Sequence, residues 1–363
     1  MSRAWPSLDA VPTSLWLGGV AAGTVVLFLF AVQLLGAATA AAEPTLRGLL
    51  TRLVVDGSSA LGLSWLASYV LANGSVVAAL ALSLFDAGLL TAESLFLMVV
   101  GSRLGGAAIV LFIGALDYFQ KDRYSLQEAV SMGVLTFLLT HSIYVPALAV
   151  GYLAFPSLAG PALEVTGEWT VALRPLSVFD PVVGAVTAAL GPLPTFGLAV
   201  ALLFGSLSLF DRVLESVDTS ALRDHLFRRF RRTWLSFAFG VLITTVTTSV
   251  AFSLGVIVPL YNRGYVERDE LIPYVLGANL GTLFDTLVVA VVLETAVGTA
   301  TVLLVLGTAA LVTLVALVFH RPYARAISAV DDRVLADRRV FAAFLVVLAA
   351  TPVLLLAVPL VLA

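Results

Sequence analysis

Two clusters of short polar side chains interrupt long apolar stretches of this sequence. The first is Ala72-Asn73-Gly74-Ser75, and the second is Thr244-Thr245-Val246-Thr247-Thr248-Ser249. Such residues are tolerated at membrane depth where backbone lines a cavity, as in re-entrant hairpins and broken helices. The helix N-termini at such breaks favour an anion, while unwound carbonyls and hydroxyls suit sodium. Two breaks that face each other would therefore form one binding pocket for ions or a small solute.

Each cluster also has a purely structural interpretation. Hydroxyls within helices often bond their own backbone or pack against a neighbouring helix, and this applies to the threonines, to Ser249 and to Ser253. Gly74 allows close approach of a ligand to the backbone. The same glycine is equally compatible with a helix kink or a packing notch.

Single charges inside apolar runs are the next candidates, because a charge at membrane depth is costly and is a functional hypothesis by default. Arg103 either binds an anion directly or pairs with Asp285 or Asp180 as a structural contact. Asp285 is a candidate for coupling to sodium or to a proton. Glu294 is expected at a membrane interface, and His141 is expected to be a hydrogen-bonded structural residue.

The composition indicates what kind of protein must position these residues. Of the 363 residues, 60% are hydrophobic and 12% are charged, whereas ordinary globular chains have about 25% charged residues. This predicts a polytopic α-helical membrane protein. The net charge of −3 implies no nucleic-acid surface, and the absence of cysteine excludes disulfides and thiolate chemistry. No catalytic motif is present, so we predict that the protein is not an enzyme.

Nine runs are nearly free of charge and approach or exceed the length of about 20 residues that a helix needs to cross a bilayer. They are 15–42, 57–85, 94–116, 129–163, 176–210, 233–262, 271–293, 295–319 and 341–363. The two polar clusters lie inside 57–85 and 233–262. These two runs are therefore predicted to be broken or re-entrant hairpins.

An internal repeat relates the two halves of the chain. Shifting the chain by 176 positions, without a gap, aligns Gly88 with Gly264, Gly101 with Gly277 and Gly105 with Gly281. The same shift aligns Arg47 with Arg223. Chance matches of leucine are expected in so apolar a chain, but paired glycines and arginines at one offset are not. The sequence therefore predicts an internal duplication.

Charge distribution predicts how the two halves are oriented. The arginine-rich loops 212–232 and 321–339 are both expected in the cytoplasm, because loops rich in arginine stay on that side. Both loops can lie in the cytoplasm only if the run 233–262 enters and leaves the membrane on the same side. Treating 57–85 in the same way places the loop 43–56 outside, so the two halves are predicted to be inverted relative to each other.

Several of these motifs resemble the sodium/phosphate symporter family, whose repeats carry a Gln-Ser-Ser-Ser hairpin followed by Gly-Ala-Asn-Ile-Gly-Thr. The second half matches at 239–245, 258–260, Gly264 and Gly-Ala-Asn-Leu-Gly-Thr at 277–282, and the first half matches more weakly at 86–90 and 101–106. Neither glutamine is present, Ser75 and Ser249 retain a serine, and Arg103 replaces the asparagine that Asn279 retains. The resemblance implies two inverted repeats with re-entrant hairpins, and inorganic phosphate as the solute.

Together these observations predict a multi-pass plasma-membrane symporter that couples sodium to a small anionic solute by alternating access. Sodium is the coupling ion, no other metal or cofactor is expected, and the oligomeric state is left open. The alternative is a membrane scaffold or receptor that kept the fold and lost the site, which the missing glutamines favour. The predicted regions are a tail 1–14, a first repeat 15–120, connecting segments 121–190, a second repeat 191–294, and C-terminal helices with a basic loop 295–363.

The candidate residues divide into two sets. The substrate-binding candidates are Asn73, Gly74, Ser75, Arg103, Thr248 and Ser249. The candidates for sodium binding or coupling are Thr244, Thr245, Thr247, Asn279, Thr282 and Asp285.

Overall fold

A computed structural model describes residues 13–120, 126–172, 177–215, 232–250, 252–254, 257 and 268–362. Within these residues, seven helices are long and apolar enough to cross a membrane, or eight if one bent pair counts as a span. The prediction of a helical multi-pass membrane protein is thereby confirmed. Most of the tail 1–14, most of the loop 212–232, and the predicted motif at 258–260 with Gly264 lie outside the described residues.

The first half of the chain is a series of six helices. They are α1 (Thr13–Ala41), α2 (Glu43–Leu53), α3 (Gly57–Leu71), α4 (Gly74–Asp86), α5 (Ala92–Gly106) and α6 (Ile109–Gln120). The short helix α2 is amphipathic, with Leu46 and Leu50 buried, and it meets α3 at 109°. The Asp56 carboxylate begins α3, because it accepts a hydrogen bond from the Ser59 N–H at 2.7 Å.

The second half continues with α7 to α15. These helices are α7 (Leu126–Ala172), α8 (Asp180–Leu190), α9 (Pro192–Glu215), α10 (Thr233–Thr247), α11 (Arg268–Gly281), α12 (Leu283–Val292), α13 (Ala296–Val318), α14 (His320–Ala336) and α15 (Arg338–Leu362). The apolar run 176–210 is not one continuous helix, because it is divided between α8 and α9. Gly191, with φ at +81°, separates α8 from α9, and a glycine adopts this conformation without a Cβ clash.

Burial separates central helices from peripheral ones. In an apolar 18-residue stretch of each span, 76% of the residues of Ala92–Leu116 and 78% of those of Arg268–Val292 are buried inside the protein, whereas the share for Arg338–Leu362 is 11%. An apolar helix with so little internal burial lies at the periphery of the fold. The segments that carry Arg103 and Asp285 are therefore at the centre of the fold.

In the first half, α3 and α5 lie side by side and run parallel. Near their starts, a Cβ on Gly57 would meet Leu97, and near their ends the Ser68 hydroxyl lies 3.4 Å from the carbonyl of Ser102. A Cβ on Gly101 would lie 2.7 Å from the carbonyl oxygen of Leu61. The glycines of α5 thus allow the two backbones to approach closely.

In the second half, α10 and α11 make the corresponding parallel pair. The Ser236 hydroxyl donates to the Glu270 carbonyl at 2.9 Å near the helix starts, and a Cβ on Gly281 would lie 2.9 Å from the Val241 carbonyl near the ends. Because α10 and α11 start at the same end of the protein, the chain between them returns to the end from which it came. The bounds of α10 equal those of α3 shifted by the offset predicted from sequence.

The amphipathic helix α14 lies against the start of α11. The Arg268 guanidinium contacts the Asp331 carboxylate at 3.1 Å and donates to Asp332 at 2.7 Å. Asp331 is fully buried, whereas the Asp332 side chain is largely exposed. Burial raises the pKa of Asp331 from 3.8 to about 6, although Arg268 opposes this change.

This raised pKa predicts a pH-dependent stability. The folded protein binds the Asp331 proton more tightly than the unfolded chain, so the free energy of unfolding decreases as pH rises between about 4 and about 6, and levels off above. We expect Asp331→Asn to flatten this part of the profile, as measured by the melting temperature in detergent. Asp332→Asn is the control and should retain most of the slope. An unchanged slope in Asp331→Asn would contradict this assignment.

Candidate functional site

The helix breaks lie at the predicted polar clusters, and the two breaks have the same local geometry. Ala72 and Thr248, the residues that follow α3 and α10, are both left-handed, with φ of 47° and 52°. This conformation is unfavourable for residues other than glycine, and especially for a β-branched threonine. Such strain persists only where the surrounding structure imposes it, and it is common at ligand sites.

The residue after each left-handed turn caps the following helical segment. The Asn73 side chain accepts from the Val76 N–H at 3.0 Å, and the Ser249 hydroxyl accepts from the Phe252 N–H at 3.1 Å. Each break therefore presents a helix N-terminus, which is the end that attracts negative charge. We name these two breaks the first tip (residues 72–75) and the second tip (residues 248–250).

One cavity of about 150 Å³ lies between the two tips. All six residues predicted to bind substrate line it, namely Asn73, Gly74, Ser75, Arg103, Thr248 and Ser249. Residues separated by more than 170 positions in the chain are thus brought to one small volume. The cavity combines two helix N-termini, a guanidinium group and several hydroxyls with one carboxylate, that of Asp211. The N-termini, the guanidinium and the hydroxyls are groups suited to a small oxyanion.

Arg103 is held at the cavity wall by three hydrogen bonds and is only 6% exposed. Its Nε donates to the Ser102 hydroxyl, one terminal nitrogen donates to the Thr282 carbonyl at 3.1 Å, and the other donates to the Thr286 hydroxyl at 3.4 Å. A guanidinium has five N–H groups. Two of them therefore have no partner among the described residues and are available for a ligand.

The two charge partners considered for Arg103 are not in direct contact with it. Asp180 is exposed at the start of α8. Asp285 is buried, and the Thr286 hydroxyl, which accepts from Arg103, donates to the Asp285 carboxylate at 2.9 Å. Arg103 and Asp285 therefore interact through Thr286 instead of forming an ion pair.

Helix α7 contributes one wall of the cavity that sequence reasoning missed. Thr136, Thr140 and Tyr144 line the cavity from this helix. They are spaced four residues apart, so they share one face of the helix. Polar residues four positions apart within the apolar run 129–163 were the sequence pattern that could have indicated this wall. Thr286, which lies between Arg103 and Asp285, was also missed.

Asn279 is fixed by contacts from α7. The Thr140 hydroxyl lies 3.2 Å from the Asn279 side-chain oxygen and 2.8 Å from the Thr136 carbonyl, so these two acceptors share its one proton. The Tyr144 hydroxyl donates to the Asn279 carbonyl at 2.8 Å. The side-chain nitrogen of Asn279 is buried and has no partner among the described residues. Because Asn279 also lines the cavity, this amide can donate two hydrogen bonds to a ligand there.

This arrangement predicts that Asn279 supports anion binding as a donor. Asn279→Asp keeps the shape but replaces two N–H donors with a negative charge, so we expect about a tenfold or larger loss of anion affinity. Asn279→Ala, which removes the donors without adding charge, should weaken binding less. The measurement is the half-saturating anion concentration for uptake, compared at fixed protein density. Equal values for wild type and both variants would exclude Asn279 from the site.

The predicted sodium-binding residues do not form one cluster. Asn279 and Thr282 line the cavity, whereas Thr244 donates to Ser253 at 2.8 Å within the hairpin and Thr247 donates to the Ile243 carbonyl. The buried hydroxyl of Thr245 has no hydrogen-bond partner among the described residues.

Asp285, the remaining predicted sodium-binding residue, does not line the first cavity. It is 2% exposed, and it lines a second cavity of about 170 Å³ that also contacts Thr248. Thr248 is thus the residue that the two cavities share.

Two further residues singled out in the sequence lie outside both cavities. The His141 ring is stacked on Phe137, with centroids 3.7 Å apart, and its Nδ1 lies 2.9 Å from the Phe137 carbonyl. This matches the expected structural role. Glu294 is exposed at the end of α12.

Comparison with known proteins supports the family resemblance in the second half of the chain. Residues 202–329 match the family described as Na+/Pi-cotransporter. The match extends from within α9 to within α14, and so includes the second tip, Asn279 and Asp285. No significant match was found among curated proteins or among solved structures. The family consists of transporters and not of enzymes.

Proposed function

We propose that this multi-pass membrane protein is a sodium-coupled symporter of a small oxyanion, with inorganic phosphate as the first candidate, because residues 202–329 match the Na+/Pi-cotransporter family. The proposed location is the plasma membrane. Sodium acts as the coupling ion, and no organic cofactor takes part.

The observation that carries this proposal is the single cavity between the two tips. Both helix N-termini and two N–H groups of Arg103 are available there to neutralise an anion. The missing Gln-Ser-Ser-Ser side chains weaken the comparison with phosphate transporters, but the guanidinium supplies donors that those serines would have supplied. A scaffold that had lost its site would have no reason to retain a buried arginine at this position.

Alternating access by two inverted repeats is the proposed mechanism. Its support is the shared offset of 176 between α3 and α10, the parallel packing within each pair, and the left-handed residue at each tip. The end of α4 lies beside the start of α13, since a Cβ on Gly298 would meet Leu82. The start of α11 lies beside α14 at the other end of the α11–α12 span. These contacts support the proposal that the two hairpins open toward opposite ends of the protein.

Uptake into proteoliposomes tests the proposal directly. We expect labelled phosphate to accumulate when sodium is outside and to stop accumulating when sodium is replaced by choline. If phosphate fails, arsenate, sulfate and small carboxylates are tested in competition under the same gradient. Absence of sodium-dependent uptake of any of these anions would favour the scaffold alternative.

The inverted arrangement predicts the sidedness of surface residues. We expect cysteines introduced at Ser216 and Ala329 to react with an impermeant maleimide from the cytoplasmic side, and a cysteine at Val55 to react from the other side. The chain has no native cysteine, so the unmodified protein is a clean control. Reaction of Val55→Cys and Ala329→Cys from the same side would contradict the inversion.

A further inference from the structure

The second cavity has a lining that differs from that of the first. It lies between α1, α9, the second tip and α12, and most of its lining residues are apolar. Four of its side chains carry oxygen, namely Thr24, Ser206, Thr248 and Asp285. The Asp285 carboxylate is the charged group among them.

The Asp285 carboxylate can contact a bound cation. One carboxylate oxygen accepts from the Thr286 hydroxyl at 2.9 Å, and the Ser75 hydroxyl also interacts with the carboxylate. The second carboxylate oxygen is buried and makes no hydrogen bond of good geometry with the described residues. A buried carboxylate oxygen without a partner is costly, and a bound cation would compensate that cost.

The two hydroxyls opposite are oriented so that their oxygens can accept. Thr24 donates its proton to the Ala21 carbonyl at 2.7 Å, and Ser206 donates its proton to the Leu203 carbonyl at 2.8 Å. Each hydroxyl oxygen retains lone pairs after donating its hydrogen. Thr24 and Ser206 are 2% and 1% exposed, so their oxygens are shielded from bulk water.

The end of α10 adds a favourable field. This helix ends at Thr247, beside the cavity residues Val246 and Thr248. The last carbonyls of a helix lack helical partners, and this end of the helix dipole attracts cations.

We propose that Asp285, Thr24, Ser206 and Thr248 form a sodium site in the second cavity, separate from the anion cavity. This inference rests on the proposed function, because it assigns the coupling ion of that transporter to a location. One carboxylate with neutral oxygens suits a monovalent cation better than a divalent one, which usually takes more carboxylates. In this site the hydroxyl oxygens of Thr24 and Ser206 are sodium ligands.

The same geometry explains how the two sites could be coupled. Thr248 borders both cavities, and Thr286 connects Arg103 to Asp285. A cation that neutralises Asp285 leaves the positive charge of Arg103 less compensated, which favours an anion in the adjacent cavity. By linkage, a bound anion must raise sodium affinity by the same factor.

Equilibrium binding of radioactive sodium to the purified full chain in detergent tests the site independently of transport. We expect Thr24→Val and Ser206→Ala each to raise the half-saturating sodium concentration about fivefold or more, and Asp285→Asn to abolish binding. Thr24→Ser keeps the oxygen and should bind sodium more tightly than Thr24→Val does. Thr195→Val is a matched control, because Thr195 is a buried hydroxyl on α9 that bonds the Gly191 carbonyl at 2.7 Å.

The outcomes distinguish this site from the proposed function. If Thr24→Val and Ser206→Ala still show sodium-driven uptake with unchanged sodium dependence, the proposed sodium site is refuted. The proposed symport function is then unaffected. Failure of the wild type to bind sodium would also overturn it. If the wild type binds sodium and these variants do not, but no anion is taken up, the site stands and the proposed function fails.

Discussion

Replacing Arg103 with alanine is expected to reduce anion affinity about a hundredfold, the effect of losing charge-assisted hydrogen bonds worth about 3 kcal/mol. Two N–H groups of this side chain are available at the cavity, and the two helix N-termini that remain provide only partial charges. The measurement is the half-saturating concentration of the transported anion. Sodium binding by the purified variant shows whether it has folded.

Arg103→Lys separates charge from geometry. Lysine keeps the positive charge but lacks the planar pair of donors that holds an oxyanion through two parallel hydrogen bonds, so we expect an intermediate affinity. Arg47→Ala is the matched control, because the Arg47 side chain is 54% exposed and pairs with Glu43 on α2. This control should transport as wild type does.

A structural role for Arg103 makes a different prediction. If Arg103 serves only to neutralise Asp285 through Thr286, the double variant Arg103→Ala with Asp285→Ala should recover the transport lost in either single variant. If Arg103 binds the anion, or if Asp285 binds sodium, the double variant should remain inactive. Recovery in the double variant would exclude both the anion-binding role of Arg103 and the sodium site at Asp285.

Replacing Gly277 with alanine is expected to prevent the second hairpin from packing, with little folded protein recovered. A Cβ on Gly277 would overlap the carbonyl oxygen of Phe237, and it would lie 2.8 Å from the nitrogen of Val241. Both are backbone atoms of α10, so no change of rotamer relieves the clash and the helices must separate. Overpacking of this kind costs about 1–3 kcal/mol or more.

Gly307→Ala is the control for this change. Gly307 lies within α13, and an added Cβ there meets nothing within 4 Å. Since alanine is the better helix former, this variant should be as stable as wild type or more so, by up to about 1 kcal/mol. The measurements are the yield of monodisperse protein and its melting temperature in detergent. Comparable yields for Gly277→Ala and Gly307→Ala would show that α10 and α11 do not pack through this contact.

The corresponding glycine in the first half provides a test of the duplication. A Cβ on Gly101 would lie 2.7 Å from the Leu61 carbonyl, as Gly277 meets Phe237. Both pairs are related by the same offset of 176 positions. The sequence predicted the equivalence of the two glycines, and the structure supplied the contact that each makes.

The sequence by itself determined the class of the protein and the position of the two helix breaks. Membrane insertion depends on composition, and a break depends on a few adjacent residues such as Asn73 and Gly74, so both are local properties of the chain. The family resemblance in the second half was also readable, because Gly-Ala-Asn-Leu-Gly-Thr at 277–282 is a contiguous motif.

Only the tertiary structure decided which polar side chains share a cavity. Thr244 and Thr248 are four residues apart, yet the first bonds within its hairpin and the second borders both cavities, because the helix ends between them. The contributions of α7 to the first cavity and of Thr24 and Ser206 to the second depend on how each helix is rotated about its axis. That rotation is set by packing against helices distant in the chain, which no local pattern specifies.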